Sequence, residues 1–188
     1  MPSATSLLIS KLNTSSDKAA EAVILNLSKI GRRAVPELMK AARDKSQPRI
    51  RKWSLQALGA IGDRRAGPLL KSALSDERMT VKLHAIRGLA RMNYKPAAVK
   101  LRALLSDSSG GIRVNSLDAL IKLESRSSAK AIIASLFDPQ WYVRQHASRA
   151  CRELGLKTAI THLEKLTKTE KRAAVLKEAK SAIAALTT

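Results

Sequence analysis

Residues 56–74 read QALGAIGDRRAGPLLKSAL. Two amphipathic runs meet at Gly62-Asp63, and Pro68 opens the second run. The stretch has an echo before it, ILNLSKIGRRAVPELMKAA at residues 24–42, and three after it: IRGLARMNYKPAAVKLRALL, LDALIKLESRSSAKAIIASL and SRACRELGLKTAITHLEKL. Stacked at an offset of 31, the columns agree. One reads Ile50, Val81, Ile112, Val143. Another reads Leu27, Leu58, Leu89, Leu120, Cys151. A third, in the second run, reads Met39, Leu70, Leu101, Ile132, Leu163. The first instalment aligns as a half, with LLISKL matching a second run. The last fits after a one-residue slip, with Val175, Ala179, Ile183 and Leu186.

Apolar residues within each run are three and four apart, the spacing of a helix with one buried stripe. Gly31, Gly62 and Gly155 follow the last apolar residue of the first run, where a left-handed C-cap favours glycine. Asn93 can serve there too, and Glu124 departs from the pattern. Pro36, Pro68 and Pro96 fall near the start of the second run, where a missing N–H costs little. No strand alternation appears. Helix pairs at a fixed period predict an all-α solenoid, because one pair cannot bury its own apolar face. The small column Ser54, Ala85, Ser116, Ala147 lets the first helices approach closely. The expected organisation is a single domain of about six helix pairs: a half-repeat cap at residues 1–17, five repeats at 18–174 and a capping helix at 175–188.

Of the 188 residues, 45% are hydrophobic and 3% aromatic, so Leu, Ala, Ile and Val build the core. The single cysteine, Cys151, excludes an intramolecular disulfide and a cysteine zinc cage. It occupies a leucine column and reads as a core thiol. The apolar run at residues 7–9 is too short for a signal-peptide core. No run approaches the roughly 18 residues that span a bilayer. A cytoplasmic monomer without a membrane partner is expected.

The phrases RKWSLQALGAIGDRRAGPLL and WYVRQHASRACRELG resemble the HEAT-like repeats of the phycobilisome-lyase type. Their pattern is a Val-Arg pair, a small residue, Ala-Leu, then Gly-x-x-Gly-Asp before a second helix that an Asp closes. The resemblance covers about residues 18–186, clearly in repeats two and five and more loosely in three and four. It implies a right-handed superhelix with second helices on the concave side. It also implies a ladder in which Arg51, Lys82, Arg113 and Arg144, at the starts of first helices, pair with Asp76, Asp107 and Asp138, at the ends of second helices. A buried charge needs such a partner. Fold alone implies little about activity.

Charge repeats as well. Thirty-five Lys and Arg against fifteen Asp and Glu give a formal charge of +20. A surplus of this size concentrates polyanions around the molecule. A second basic column, Arg33, Arg64, Lys95, Arg126, Lys157, is unbroken and has no matching acidic column. Seven residues on stand Lys40, Lys71 and Arg102, expected on the same face of the second helix. Lys130 and Lys165 stand near the two positions where that third column fails. Neighbouring helices lie roughly 8–10 Å apart, so five repeats would make a basic ribbon on the order of 40 Å long. Duplex DNA carries one charge per about 1.7 Å. Aromatic stacking platforms for single strands are few: Trp53, Tyr94, Phe137, Trp141, Tyr142. The ribbon therefore suits backbone contact with nucleic acid, or an acidic protein segment.

Catalysis finds little support. His84 and His146 share a column two repeats apart, roughly 20 Å, too far to share a metal. The residues after each histidine are Ala85, Ala147 and Leu163, so the His-Glu pairs of deoxyhypusine hydroxylases are missing. A DNA glycosylase of HEAT-like build would need a cleft carboxylate near aromatics. The nearest match, Asp138 with Trp141 and Tyr142, lies in the ladder column. No residue set commits the chain to a bilin, and no Gly-rich phosphate loop occurs. The expected function is non-enzymatic, without cofactor or metal: a scaffold whose basic face binds an extended polyanion, foremost a nucleic acid backbone. The alternatives are a protein–protein adaptor gripping an acidic segment, and a glycosylase- or bilin-lyase-like enzyme.

Overall fold

The structure, a computed structural model, describes residues 2–188, which form twelve α-helices and no strand. They divide into two compact units, one ending at Tyr94 and the other beginning at Lys95.

The first unit holds α1 (Ala4–Ser10), α2 (Asp17–Ile30), α3 (Val35–Arg43), α4 (Pro48–Ile61), α5 (Gly67–Ala73) and α6 (Met79–Arg91). Local signals set the helix starts. The Ser3 and Ser16 hydroxyls accept from the amides of Ser6 and Ala19, at 3.0 and 3.2 Å, capping donors that the helix leaves unpaired. Pro36, Pro48 and Pro68 stand in the first turns of α3, α4 and α5. The long helices α2, α4 and α6 stack in that order, and α3 and α5 cover α4 and α6. Helix α4 is central and buries Ile50, Trp53, Ser54, Leu55, Ala57 and Leu58. Where α4 crosses α6 two glycines meet: a Cβ on Gly59 would lie 2.7 Å from the Gly88 Cα.

The second unit holds α7 (Ala98–Ala103), α8 (Gly110–Lys122), α9 (Ala129–Ala134), α10 (Trp141–Glu153), α11 (Ile160–Thr169) and α12 (Ala173–Thr187). Here α8, α10 and α12 stack, with α7, α9 and α11 beside them. Leu117, Leu120, Val143, Ala147, Cys151, Val175 and Ala179 have no exposed surface between them. Helix α12 begins two residues before the boundary expected at 175. The small column Ser54, Ala85, Ser116, Ala147 is wholly buried.

Short 3-10 turns join the two helices of a pair: Gly31–Arg33, Arg64–Ala66, Lys95–Ala97, Arg126–Ser128 and Lys157–Ala159. The residue that ends the preceding long helix takes a positive φ at every repeat. Gly31, Gly62 and Gly155 have φ of 66°, 74° and 62°, and Asn93 and Glu124 have 46° and 53°. Glu124 thus keeps the turn while carrying a Cβ in the left-handed region, which costs about 1 kcal/mol.

Two substitutions test these backbone constraints. Gly59→Ala forces α4 and α6 apart and should lower unfolding free energy by about 1–3 kcal/mol in urea denaturation. Glu124→Gly should raise it by up to about 1 kcal/mol, because it relieves the left-handed strain.

Candidate functional site

The basic residues fall into two physically different sets. The first set is buried and paired. Arg51 Nη1 lies 2.5 Å from Asp76 Oδ2, with side chains 9% and 10% exposed. Its Nε also donates to the Ala42 carbonyl at 3.2 Å. Arg113 grips Asp138 with two bonds, Nε to Oδ2 at 2.7 Å and Nη2 to Oδ1 at 2.8 Å. Its Nη1 donates backwards to the carbonyls of Asp107 and Ser108. Arg144 repeats this arrangement: Nη1 donates to the Asp138 and Pro139 carbonyls, and Nε to Glu170 Oε2 at 2.6 Å. Each acid has a second duty. Asp76, Asp107 and Asp138 accept from the amides of Arg78, Ser109 and Gln140, closing the turn before the next long helix. Glu170 accepts from both Lys171 and Arg172.

Glu170 stands outside the repeat columns of the sequence. The ladder column predicts position 169, which is Thr169, and the acid sits one residue later. The one-residue slip of the last repeat was the available signal. The Arg144 guanidinium holds the Glu170 carboxyl down at about 2, with the two backbone amides adding to it against the effect of burial. For Asp76, burial pushes the carboxyl up, but the Arg78 amide and Arg51 outweigh it and the net direction is down.

The second set is exposed, except for the half-buried Lys71 and Arg102. Arg33, Arg64, Lys95, Arg126 and Lys157 all lie at the surface. They occupy the five 3-10 turns that precede the second helices, not the helices themselves. Lys40, Lys71, Arg102, Lys130 and Lys165 follow on α3, α5, α7, α9 and α11. Among the described residues, none of these ten lies within ion-pair distance of an acid. Arg64 lies over the Tyr94 ring at 5.9 Å, Lys165 over Phe137 at 5.7 Å, and Arg102 reaches the Ser127 carbonyl at 3.4 Å. The first unit bears Arg33, Lys40, Arg64 and Lys71, and the second unit the other six. Eighteen basic residues face seven acidic ones in the first unit, and seventeen face eight in the second. Neither unit holds the surplus alone.

The remaining candidates are scattered. Burial pushes His84 down to about 4, with Lys52 and Arg87 adding to it, and its ring lies 5.8 Å from Trp53. His146 Nδ1 is 2.9 Å from Asp118 Oδ1, which also pairs with Arg149. Phe137 turns away from Trp141 and Tyr142: it stacks edge-on with His162 at 6.3 Å and is 46% exposed. Together with Lys130, Ile133, Ala134 and Thr158, Phe137 and His162 line an apolar groove of 630 Å³ between α9 and α11. Cys151 is fully buried, and burial raises its thiol to about 12. Among the described residues no three His, Cys, Asp or Glu side chains are grouped as a metal site would need, and no helix is long and apolar enough to cross a membrane.

A family model described as HEAT repeats matches residues 5–90 and 99–184. The chain belongs to the HEAT-repeat family. No curated protein matches this HEAT-repeat chain. Among solved structures it is similar to a designed armadillo repeat protein in complex with the peptide (KR)4, at 20% identity and a TM-score of 0.69 over 98% of this chain and all of that one. It is also similar to the complex of CpcE and CpcF of phycocyanin lyase from Nostoc sp. PCC7120, at 18% identity and 0.65 over 99% and 96%. At such identities the likeness extends to the repeat-solenoid scaffold and no further.

The two sets should respond oppositely to mutation. Arg113→Glu leaves Asp138 buried without its partner and should cost on the order of 3 kcal/mol of stability, whereas Arg64→Glu should change it by less than about 0.5 kcal/mol. Glu170 has a depressed folded-state pKa, so its contribution is present above its ordinary value of 4.5 and lost as pH falls toward about 2. Glu170→Gln should therefore flatten the acid limb of the stability curve in that window, measured by urea denaturation at stepped pH.

Proposed function

We propose that this HEAT-repeat chain is a non-enzymatic scaffold whose exposed basic residues bind an extended polyanion, a nucleic acid backbone. The observation that carries this reading is the division of the cations. Ladder arginines are sealed against carboxylates, while among the described residues the ten repeat-spaced cations of the turns and second helices have no acid within ion-pair distance. Like charges brought together without counter-charges repel, and a bound anion relieves that repulsion. Arg33, Arg64, Lys95, Arg126 and Lys157 would contact phosphates from the turns, with Lys40, Lys71, Arg102, Lys130 and Lys165 supporting them from the second helices. Contacts of this kind track the backbone and position the partner without reading bases. The exposed aromatics, Phe137 and Trp141, are too few to form a series of stacking platforms.

A second reading has its own observation. The apolar groove between α9 and α11 offers Phe137 and Ile133 beside Lys130, as a site for an apolar side chain in an acidic peptide would. The designed armadillo neighbour is in complex with a basic peptide. This chain, at +20, would favour the opposite charge.

The test is a salt titration of binding to a labelled duplex of about 20 base pairs by fluorescence anisotropy, with heparin and poly-glutamate as competitors. The expected result is a linear fall of log affinity with log salt, with a slope of several units. Poly-glutamate should compete poorly. Arg64→Glu with Arg126→Glu should weaken duplex binding at least tenfold without unfolding the chain. No binding at about 50 mM salt would overturn the nucleic-acid reading, and strong competition by poly-glutamate would favour the acidic peptide.

A further inference from the structure

We infer that the first unit contains a discrete phosphate-binding subsite built from Arg32, Arg64, Arg65 and Arg91. It rests on the polyanion reading and narrows it to phosphate, with three arginines outside the repeat-spaced set.

The four side chains line one open depression of 700 Å³, with Gly62, Asp63 and Met92 completing it. The sequence brings them there from three instalments of the repeat. Arg32 comes from the 3-10 turn after α2, Arg64 and Arg65 from the turn after α4, and Arg91 from the last turn of α6. All three helices end at this place. Their unpaired carbonyls draw cations, and Arg91 Nη1 lies 3.5 Å from the Ala60 carbonyl.

One acid stands among the four. Asp63 is 8% exposed and is covered by Arg65, whose Nε lies 3.1 and 3.2 Å from the two carboxylate oxygens and whose Nη2 lies 2.8 Å from Oδ2. The Arg65 amide donates to it as well, at 2.9 Å. These bonds hold the carboxyl down at about 2, so it stays charged at neutral pH. Arg65 also donates to the Arg32 carbonyl at 3.1 Å, which ties the two turns together. Asp63 therefore fixes Arg65 and takes up its Nε and one Nη2 donor. It does little for the rest. Arg32 Nε is 3.9 Å away on a side chain 88% exposed, and among the described residues no acid lies within ion-pair distance of Arg64 or Arg91.

The lining carries four positive charges and one negative. Three guanidinium groups keep free donors beside an open volume. A guanidinium is a planar fork that matches paired oxygens. A carboxylate offers two oxygens in one plane, enough for one fork and part of another. A phosphate offers oxygens in several directions and can occupy forks arriving from three turns at once. The arrangement therefore favours a phosphate group over a carboxylate of equal charge. The second unit has single cations, Lys95, Arg126 and Lys157, at the corresponding turn positions and no Arg-Arg pair there. The second unit's turns therefore have no counterpart of this subsite.

The probe is inorganic pyrophosphate, with citrate as a carboxylate of similar charge, titrated into the full chain by isothermal calorimetry and by thermal shift. Pyrophosphate should bind and raise the melting temperature, and citrate should bind at least tenfold more weakly. Arg32→Gln with Arg91→Gln should lower pyrophosphate affinity at least tenfold, about what is lost with one charge-assisted hydrogen bond. Lys180→Gln, at an exposed position of α12 outside the proposed binding residues, should leave it unchanged. Arg64→Gln is a second variant that should weaken binding without touching the Asp63 contacts. No pyrophosphate binding, equal binding of citrate, or unchanged affinity in the double variant would overturn the subsite. If those arginines serve only to complement helix ends, the double variant would melt earlier and the wild type would show no pyrophosphate shift. Failure of duplex binding with pyrophosphate binding retained would sink the nucleic-acid reading and leave the subsite standing.

Discussion

The carboxylate at the end of a second helix closes a turn and, in three of the helix pairs, anchors an arginine as well. It accepts from the amide two residues on, which closes the turn into the next long helix. Asp76, Asp138 and Glu170 also receive the arginine that stands at the start of the first helix of the same pair. In the second unit, Arg113 and Arg144 add a backward link by donating to carbonyls of the turn before their own helix. One side chain thereby spans two consecutive turns. The pairs are worth having because they are nearly dry: Arg113 and Asp138 are 10% and 8% exposed, where an unpartnered charge would be costly. Apolar packing holds helix to helix, and the ladder adds directional bonds at the helix ends.

That constraint also explains where the free charge can be. Residues near the ends of the long stack are committed to the ladder, and the core is apolar. The positions left for repeated exposed cations are the 3-10 turns and the outer faces of the short helices. Arg33, Arg64, Lys95, Arg126 and Lys157 stand at those turns because each follows the positive-φ residue that ends a long helix. The same backbone reversal that lets a repeat begin its second helix therefore presents the basic side chain. Structure and candidate function share one local device, and the repetition of one brings the repetition of the other.

Much of this was legible in the sequence, for a physical reason. A 31-residue period records one packing solution used several times, so the apolar columns reveal helices, turns and buried faces together. The separation of ladder cations from surface cations was legible as well, since only one basic column had acids at a matching offset. Three features were not. Glu170 hid behind a one-residue slip that moved it out of its column. The Gly59–Gly88 contact joins different columns, because crossing helices bring together residues that no fixed offset relates. The turn position of the first cations is hidden too, because a spacing of seven is the same number whether the chain begins in an α-helix or a 3-10 turn.

The arginine cluster around Asp63 shows the same limit from the other side. Columns compare equivalent positions in successive repeats, and Arg32, Arg65 and Arg91 are not equivalent. They meet because α2, α4 and α6 end side by side, so residues just inside and just beyond each helix terminus share one space. A repeat protein gains breadth by repetition and specificity by departures from it. The regular cations give each unit a general attraction for an anion. The irregular ones, gathered where three helix ends converge and one buried acid fixes a fork, are the place where such an attraction acquires a geometry.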